Sequence, residues 1–198
     1  MRLPGAAVPT MTARSRIDAL TLYTSAVTAA GAALLGWALP GLREVEPLWF
    51  AMLLAGEILA SLYKVSLQLP LGGGATMTLG LALGFAGILT LGTGPTVVII
   101  SAGVWTQSTW RTKRKGSIDL RRRLFSVACG ALTVEAAGLA FTTLGGVPGR
   151  LDPLLAPLTG AALVYFTVNT TLIAGAIALS DHKPLSVVWR DGFLWSAP

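Results

Sequence analysis

Apolar and polar positions alternate along this chain in long blocks, and the block lengths predict its elements. Six apolar runs stand out: about Ala19 to Leu39, Leu48 to Leu67, Met77 to Leu91, Thr96 to Trp110, Leu124 to Leu144 and Leu154 to Leu179. Four are near the roughly 20 residues that an α-helix needs to cross a bilayer. The breaks between them are strong. Pro40-Gly41 stops the first run, Pro70 with Gly72-Gly73-Gly74 stops the second, and Gly92-Thr93-Gly94-Pro95 reads as a tight turn after the third. Gly145-Gly146, Pro148-Gly149 and Asp152-Pro153 separate the fifth from the sixth, and Asp181-His182-Lys183-Pro184 ends the sixth. The third and fourth runs have only about 15 residues each, so they are expected either as short crossings or as a broken, partly re-entrant pair.

Small residues fill the runs where helices must approach closely. Ala26, Ala29, Ala30, Gly31 and Ala33 mark the first, and Gly80, Gly84 and Gly87 give the third a small-residue repeat of the GxxxG kind. Trp49 and Phe50 open the second run where an interfacial aromatic belt would sit. Composition agrees with this reading. Of 198 residues, 53% are hydrophobic and 12% charged, with a mean hydropathy of +0.68. That is about half the charge of a soluble domain. The fold expected is all-α: a polytopic helical membrane bundle of about six transmembrane helices. A further apolar segment begins at the C-terminus, where Gly192-Phe193-Leu194-Trp195 turns apolar again and a continuation of the natural protein is expected. Residues 1–17 read as a cytoplasmic N-terminal segment and 18–198 as one integral membrane domain.

Charge adds the orientation. Seven basic residues, Arg111, Lys113, Arg114, Lys115, Arg121, Arg122 and Arg123, stand within thirteen positions and account for most of the net charge of +6. Short loops rich in Lys and Arg remain cytoplasmic. With strict alternation, the N-terminus (Arg2, Arg14, Arg16) and the segment from Ser180 to Gly192 then lie inside as well. The opposite loops, Pro40 to Pro47 and Gly145 to Pro153, carry no positive excess. The expected location is a bacterial cytoplasmic membrane, with anionic headgroups as partner of the basic loop, each Lys or Arg contributing about 1 kcal/mol. A nucleic-acid-binding stripe on a soluble protein is set aside, because flanks this apolar have no soluble fold in which to hide. Arg14 and Arg16 precede a run too long for a cleaved signal, so the first run is expected to be retained.

Candidate chemistry is sparse. Glu57 sits mid-way along the second run, with Lys64 seven residues on along the same helix face; Glu135 and Asn169 are the other deep polar residues. A charged group at the bilayer centre costs about 2.5–3.5 kcal/mol on insertion scales, so such residues turn inward and often mark function. Together they are candidates to line a polar cavity for a ligand or proton. The alternatives stay open: Glu57 protonated or hydrogen-bonded between helices, Lys64 snorkelling to the interface, and Asn169 as an interhelical hydrogen-bonding residue. Cys129 is the sole cysteine, which leaves no intrachain disulfide and no cysteine metal site; a histidine metal site or Ser-His-Asp triad would have to use the sole histidine, His182, which beside Lys183 at the cytoplasmic end of a run reads as an interfacial residue. No phosphate-cradling motif follows Gly72–Gly74. No cofactor, metal site or catalytic residue is expected.

The runs LASLYKVSLQLPLGGGATMTLGLALGF, VWTQSTWRTKR, RRLFSVACGALTVEAAGLAF and VYFTVNTTLIAGAIALSDHKPLSVVWRDGFLWSAP resemble the bacterial membrane-associated sensor regions that precede HD-GYP phosphodiesterase, diguanylate cyclase (GGDEF) or histidine-kinase modules. The resemblance rests on Lys64-Val65, Gln107-x-x-Trp110-Arg111, Leu124-Phe125, Asn169-Thr170 and Trp189-Arg190, and it covers most of residues 45–198. Ser126 departs from it, standing where Asn is expected after Leu-Phe. The resemblance implies an input domain, itself no enzyme, that regulates an output module beyond Pro198; its ligand is not implied. A homodimer formed through that module is the expected protein partner. Pro184, Trp189 and Arg190 are the candidate coupling residues, since Pro184 breaks the sixth run and the other two suit the inner interface. The alternative class is a small-solute uptake subunit like the six-span substrate-binding component of a vitamin transporter.

Overall fold

The computed structural model describes residues 13–62, 65–68, 74–77, 80–115, 119–150, 152 and 154–192, with the side chains of 13–17, 65–68, 74–77 and 111–115 left aside. Among the described residues the secondary structure is helical apart from one short strand pair. Helix α1 (Ala13–Ala38) runs through a 3-10 turn (Pro40–Glu44) into α2 (Pro47–Leu62). Strands β1 (Val65–Gln68) and β2 (Gly74–Met77) follow, then α3 (Gly80–Thr90), α4 (Thr93–Lys115), α5 (Leu120–Thr143), α6 (Leu155–Asp181) and α7 (Leu185–Gly192).

Three departures from the sequence reading have physical causes. The second run does not stay helical to Leu67: α2 ends at Leu62, and β1 pairs antiparallel with β2, Val65 opposite Met77 and Gln68 opposite Gly74. The joining residues include Pro70, Gly72 and Gly73, which suit a reversal of the chain better than a helix. The ribbon takes backbone from the start of the third run, so α3 has only 11 residues. At 1.5 Å per residue it is about 16 Å long, roughly half the hydrocarbon thickness. The fourth run is longer than expected, not shorter. Helix α4 has 23 residues and carries Arg111 to Lys115 in its last turns, where cations suit the negative end of the helix dipole.

Packing fixes the relative directions of the helices. Helix α3 runs back along α2, with Leu83 beside Gly56 and Gly80 beside Glu57. It then turns at Gly92, a glycine with φ +84°, and α4 returns along it, Thr96 beside Gly87 and Ile100 beside Gly84. Helix α5 runs antiparallel to α4, with Gly130 against Ile100 and Val104 and Gly138 against Thr93. Helix α1 runs parallel to α5: Tyr23 meets Phe125 with ring centroids 6.2 Å apart, and Gly31 lies on Ala128. Near the other end of the sequence, the Tyr23 hydroxyl donates to the Leu172 carbonyl of α6 at 2.9 Å, and Gly175 leaves room for the phenol ring. Each helix from α1 to α6 therefore opposes its predecessor. The C-terminal ends of α2, α4 and α6 share one end of the bundle with the basic residues.

The core lies where α4, α5 and α6 meet. Val97, Ile100, Val134, Ala137, Phe141 and Ala161 form its buried centre, and a second cluster of Val27, Ala128 and Cys129 holds α1 to α5. Among the described residues, three helical stretches are long and apolar enough to cross a bilayer: Asp18–Glu44, Leu120–Thr143 and Leu155–Asp181. Large apolar side chains face outward, Trp37 at 84% exposure the most prominent with Leu155. In water such a surface would be a liability; in lipid it is the expected one.

Candidate functional site

The site grows from one expensive residue. Glu57 lies in α2 and is 4% exposed. Its carboxyl group sits in a notch between the first residue of α3 and the middle of α4. A Cβ on Gly80 would fall 2.7 Å from Oε1, and a Cβ on Gly103 would collide with the same oxygen. Both glycines are there because backbone, not side chain, must meet the carboxyl group. The Ser61 hydroxyl, one turn on along α2, donates to Oε1 at 3.4 Å. Oε2 is enclosed and has no hydrogen-bond partner. Tyr165 of α6 is within electrostatic reach of the carboxyl group, and its ring packs on Phe85 of α3 with centroids 5.8 Å apart. Three helices, α2, α3 and α4, thus meet at a single acid.

The half-length of α3 gives this arrangement its electrostatics. Gly80 opens the helix beside the Glu57 carboxyl group, so the positive end of the α3 dipole lies there. The opening of α3 is level with Gly103, ten residues into α4, and therefore well within the bundle.

The other expected site residues are placed separately. Glu135 in α5 and Asn169 in α6 are half-buried. No hydrogen bond or ion pair joins either of them to Glu57 among the described residues. Lys64 lies outside the described residues. Of the basic set, Arg111, Lys113, Arg114 and Lys115 lie on the last turns of α4 and Arg121, Arg122 and Arg123 on the first turn of α5. Asp119 caps α5 by accepting from the Arg121 backbone N–H at 3.3 Å, which partly offsets three cations at the positive end of a helix. Among the described residues no group of three or more His, Cys, Asp or Glu side chains could hold a metal ion.

The coupling candidates form a second feature. His182 ends α6 in the left-handed conformation, φ 60°, and the Pro184 carbonyl accepts from the Val187 and Val188 N–H groups as α7 begins. Helix α7 then folds back on α6. Trp189 Nε1 donates to Thr170 Oγ1 at 3.0 Å, and the Trp189 ring stands edge-on to Phe166. Val188 is buried as well, while Arg190 stays exposed and pairs with its neighbour Asp191. Gly103, Ser61 and Tyr165 were missed by sequence reasoning, while Gly80 was read only as a close-packing glycine and Thr170 only within the Asn169-Thr170 pair. The only signal for Thr170 was its place beside Asn169.

Compared with known protein families, with curated proteins and with solved structures, the chain gives no match.

Proposed function

We propose that this chain is a membrane-embedded sensory domain of a bacterial signalling protein. In this reading it crosses the cytoplasmic membrane six times with its N-terminus inside, and passes the state of its bundle to a cyclic-di-GMP or kinase output module through α7. The observation that carries the reading is the Trp189–Thr170 latch. It ties the last described helix to the middle of α6, one turn from Phe166 and five residues from Tyr165. A shift of α6 caused at the site would therefore reach α7 within two turns.

Six crossings are supported by the alternating helix directions and by the tryptophans. Trp37 and Trp49 flank the 3-10 turn at one end. Trp110, 52% exposed, lies about 26 Å along α4 from Thr93 toward the other, a spacing that suits two interfacial belts. The seven basic residues gather at the end assigned to the cytoplasm, where they meet anionic headgroups.

A second reading, the small-solute uptake subunit, is favoured by one observation: a half-helix opening onto a buried charged group is a device of transporter binding sites. The reading frame that follows Pro198 separates the two. A phosphodiesterase, cyclase or kinase module there supports the sensor, and Trp189→Ala in that full-length protein then alters its output while leaving its membrane level unchanged. A stop codon at that point together with solute uptake alongside a partner ATPase would overturn it.

A further inference from the structure

We infer that Glu57 is a proton-binding site, and that the ligand of the α2–α3–α4 notch is a proton rather than a solute. The inference deepens the sensory reading by naming what the bundle detects, and rests on it only for the link to an output.

The size of the notch excludes larger ligands. Oε1 is hemmed by Gly80, Gly103 and Ser61 so closely that a single added carbon on either glycine would clash. Oε2 is enclosed and unpartnered, so no room remains for a hydrated ion or an organic group. A metal ion would also need several further oxygen donors, and among the described residues Ser61 is the one side chain hydrogen-bonded to the carboxyl group. A proton needs neither space nor further ligands.

Charge balance points the same way. An ionised carboxylate in an apolar interior needs a cation or several hydrogen bonds. Helix α2 carries no charged residue besides Glu57, and Lys64 beyond it lies outside the described residues. Helix α3 has no titratable side chain at all, α4 has none before Arg111, and α6 presents only Tyr165. No ion pair to Glu57 exists among the described residues. With no cation and a single hydrogen bond beside it, the carboxyl group as packed suits the neutral acid. Loss of that proton leaves a negative charge facing only the Ser61 hydroxyl and the opening of α3, and α2 must then move from α4 to admit water.

Infrared difference spectra of the full chain in phospholipid vesicles, recorded as pH is stepped, test this. A carboxylic-acid carbonyl band that disappears on raising pH is expected, one acid per chain. Glu57→Gln should abolish it, and Ser61→Ala should shift its frequency by removing the hydrogen bond to Oε1. A band that survives Glu57→Gln unchanged would overturn the proposal. Should that variant fail to fold, a band with the same frequency in Ser61→Ala as in the parent would overturn it equally. The measurement needs no output module. A titrating band without any change in output activity would therefore refute the sensory reading and leave the proton site standing.

Discussion

Thr170 Oγ1 both donates and accepts: it donates to the Phe166 carbonyl one turn back at 2.7 Å and accepts from Trp189 Nε1 at 3.0 Å. A hydroxyl in an apolar helix commonly serves only its own backbone. Here the remaining acceptor position holds a second helix. Losing the bond removes about 1 kcal/mol, and losing the edge-on ring contact with Phe166 removes about as much again.

Trp189→Ala should therefore free α7. Amide hydrogen exchange across Leu185–Gly192 is expected to quicken by about tenfold or more, while exchange in α5 stays as it is. Thr170→Val keeps the shape and removes the acceptor, so it should reproduce part of the effect. Equal exchange in parent and Trp189→Ala chains would show that α7 is held by something other than the latch.

Gly31 is where α1 meets α5, and a Cβ there would run into Ala128. Gly31→Leu should destabilise the chain by about 1–3 kcal/mol, the usual cost of forcing carbon into a filled contact. The neighbouring Cys129 is buried and free, and it provides the readout. A thiol-reactive fluorophore should label it at a lower temperature in the variant than in the parent.

Tyr23→Phe removes the hydroxyl that donates to Leu172 across 149 positions of sequence. The expected loss is about 1 kcal/mol, seen in the same thiol-labelling melt. The gap that Gly175 leaves for the phenol oxygen would remain, so Phe should not repair the contact.

Topology has a direct check. Alkaline phosphatase joined at Ser117, between α4 and α5, should be inactive, and joined at Gly146, between α5 and α6, it should be active. Activity at Ser117 would reverse the assigned direction of every helix.

Much of this architecture could be read from the chain, because burial in lipid writes long apolar runs. Helices α1, α5 and α6 match their runs to within a few residues at most ends. Hydropathy located α4 poorly, since its boundary is a charge boundary. The helix continues past Trp110 to Lys115 because Arg and Lys suit a helix C-terminus even where they end the apolar run. The ribbon Val65–Met77 was hidden for a related reason: Val65 and Leu67 are as apolar as a helix requires, and only the backbone register tells strand from span. Glu57 was legible because a lone acid in an apolar run is costly. Its neighbours were not. The glycine spacing announced a close approach without saying that a carboxyl group, and not another helix backbone, would fill the space at Gly80, and Gly103 stood outside that spacing.

Helix α3 reaches only about half-way through a bilayer, and the chain that enters it is β-ribbon, whose edges lipid cannot satisfy. That stretch has to stay roofed by protein on its lipid side. A bundle built this way has a weak wall at one place and depth, so the thickness of the surrounding lipid bears on α2 and α3 more than on the full-length helices α5 and α6. In the proposed topology, membrane composition would act on the very pair of helices that closes over Glu57.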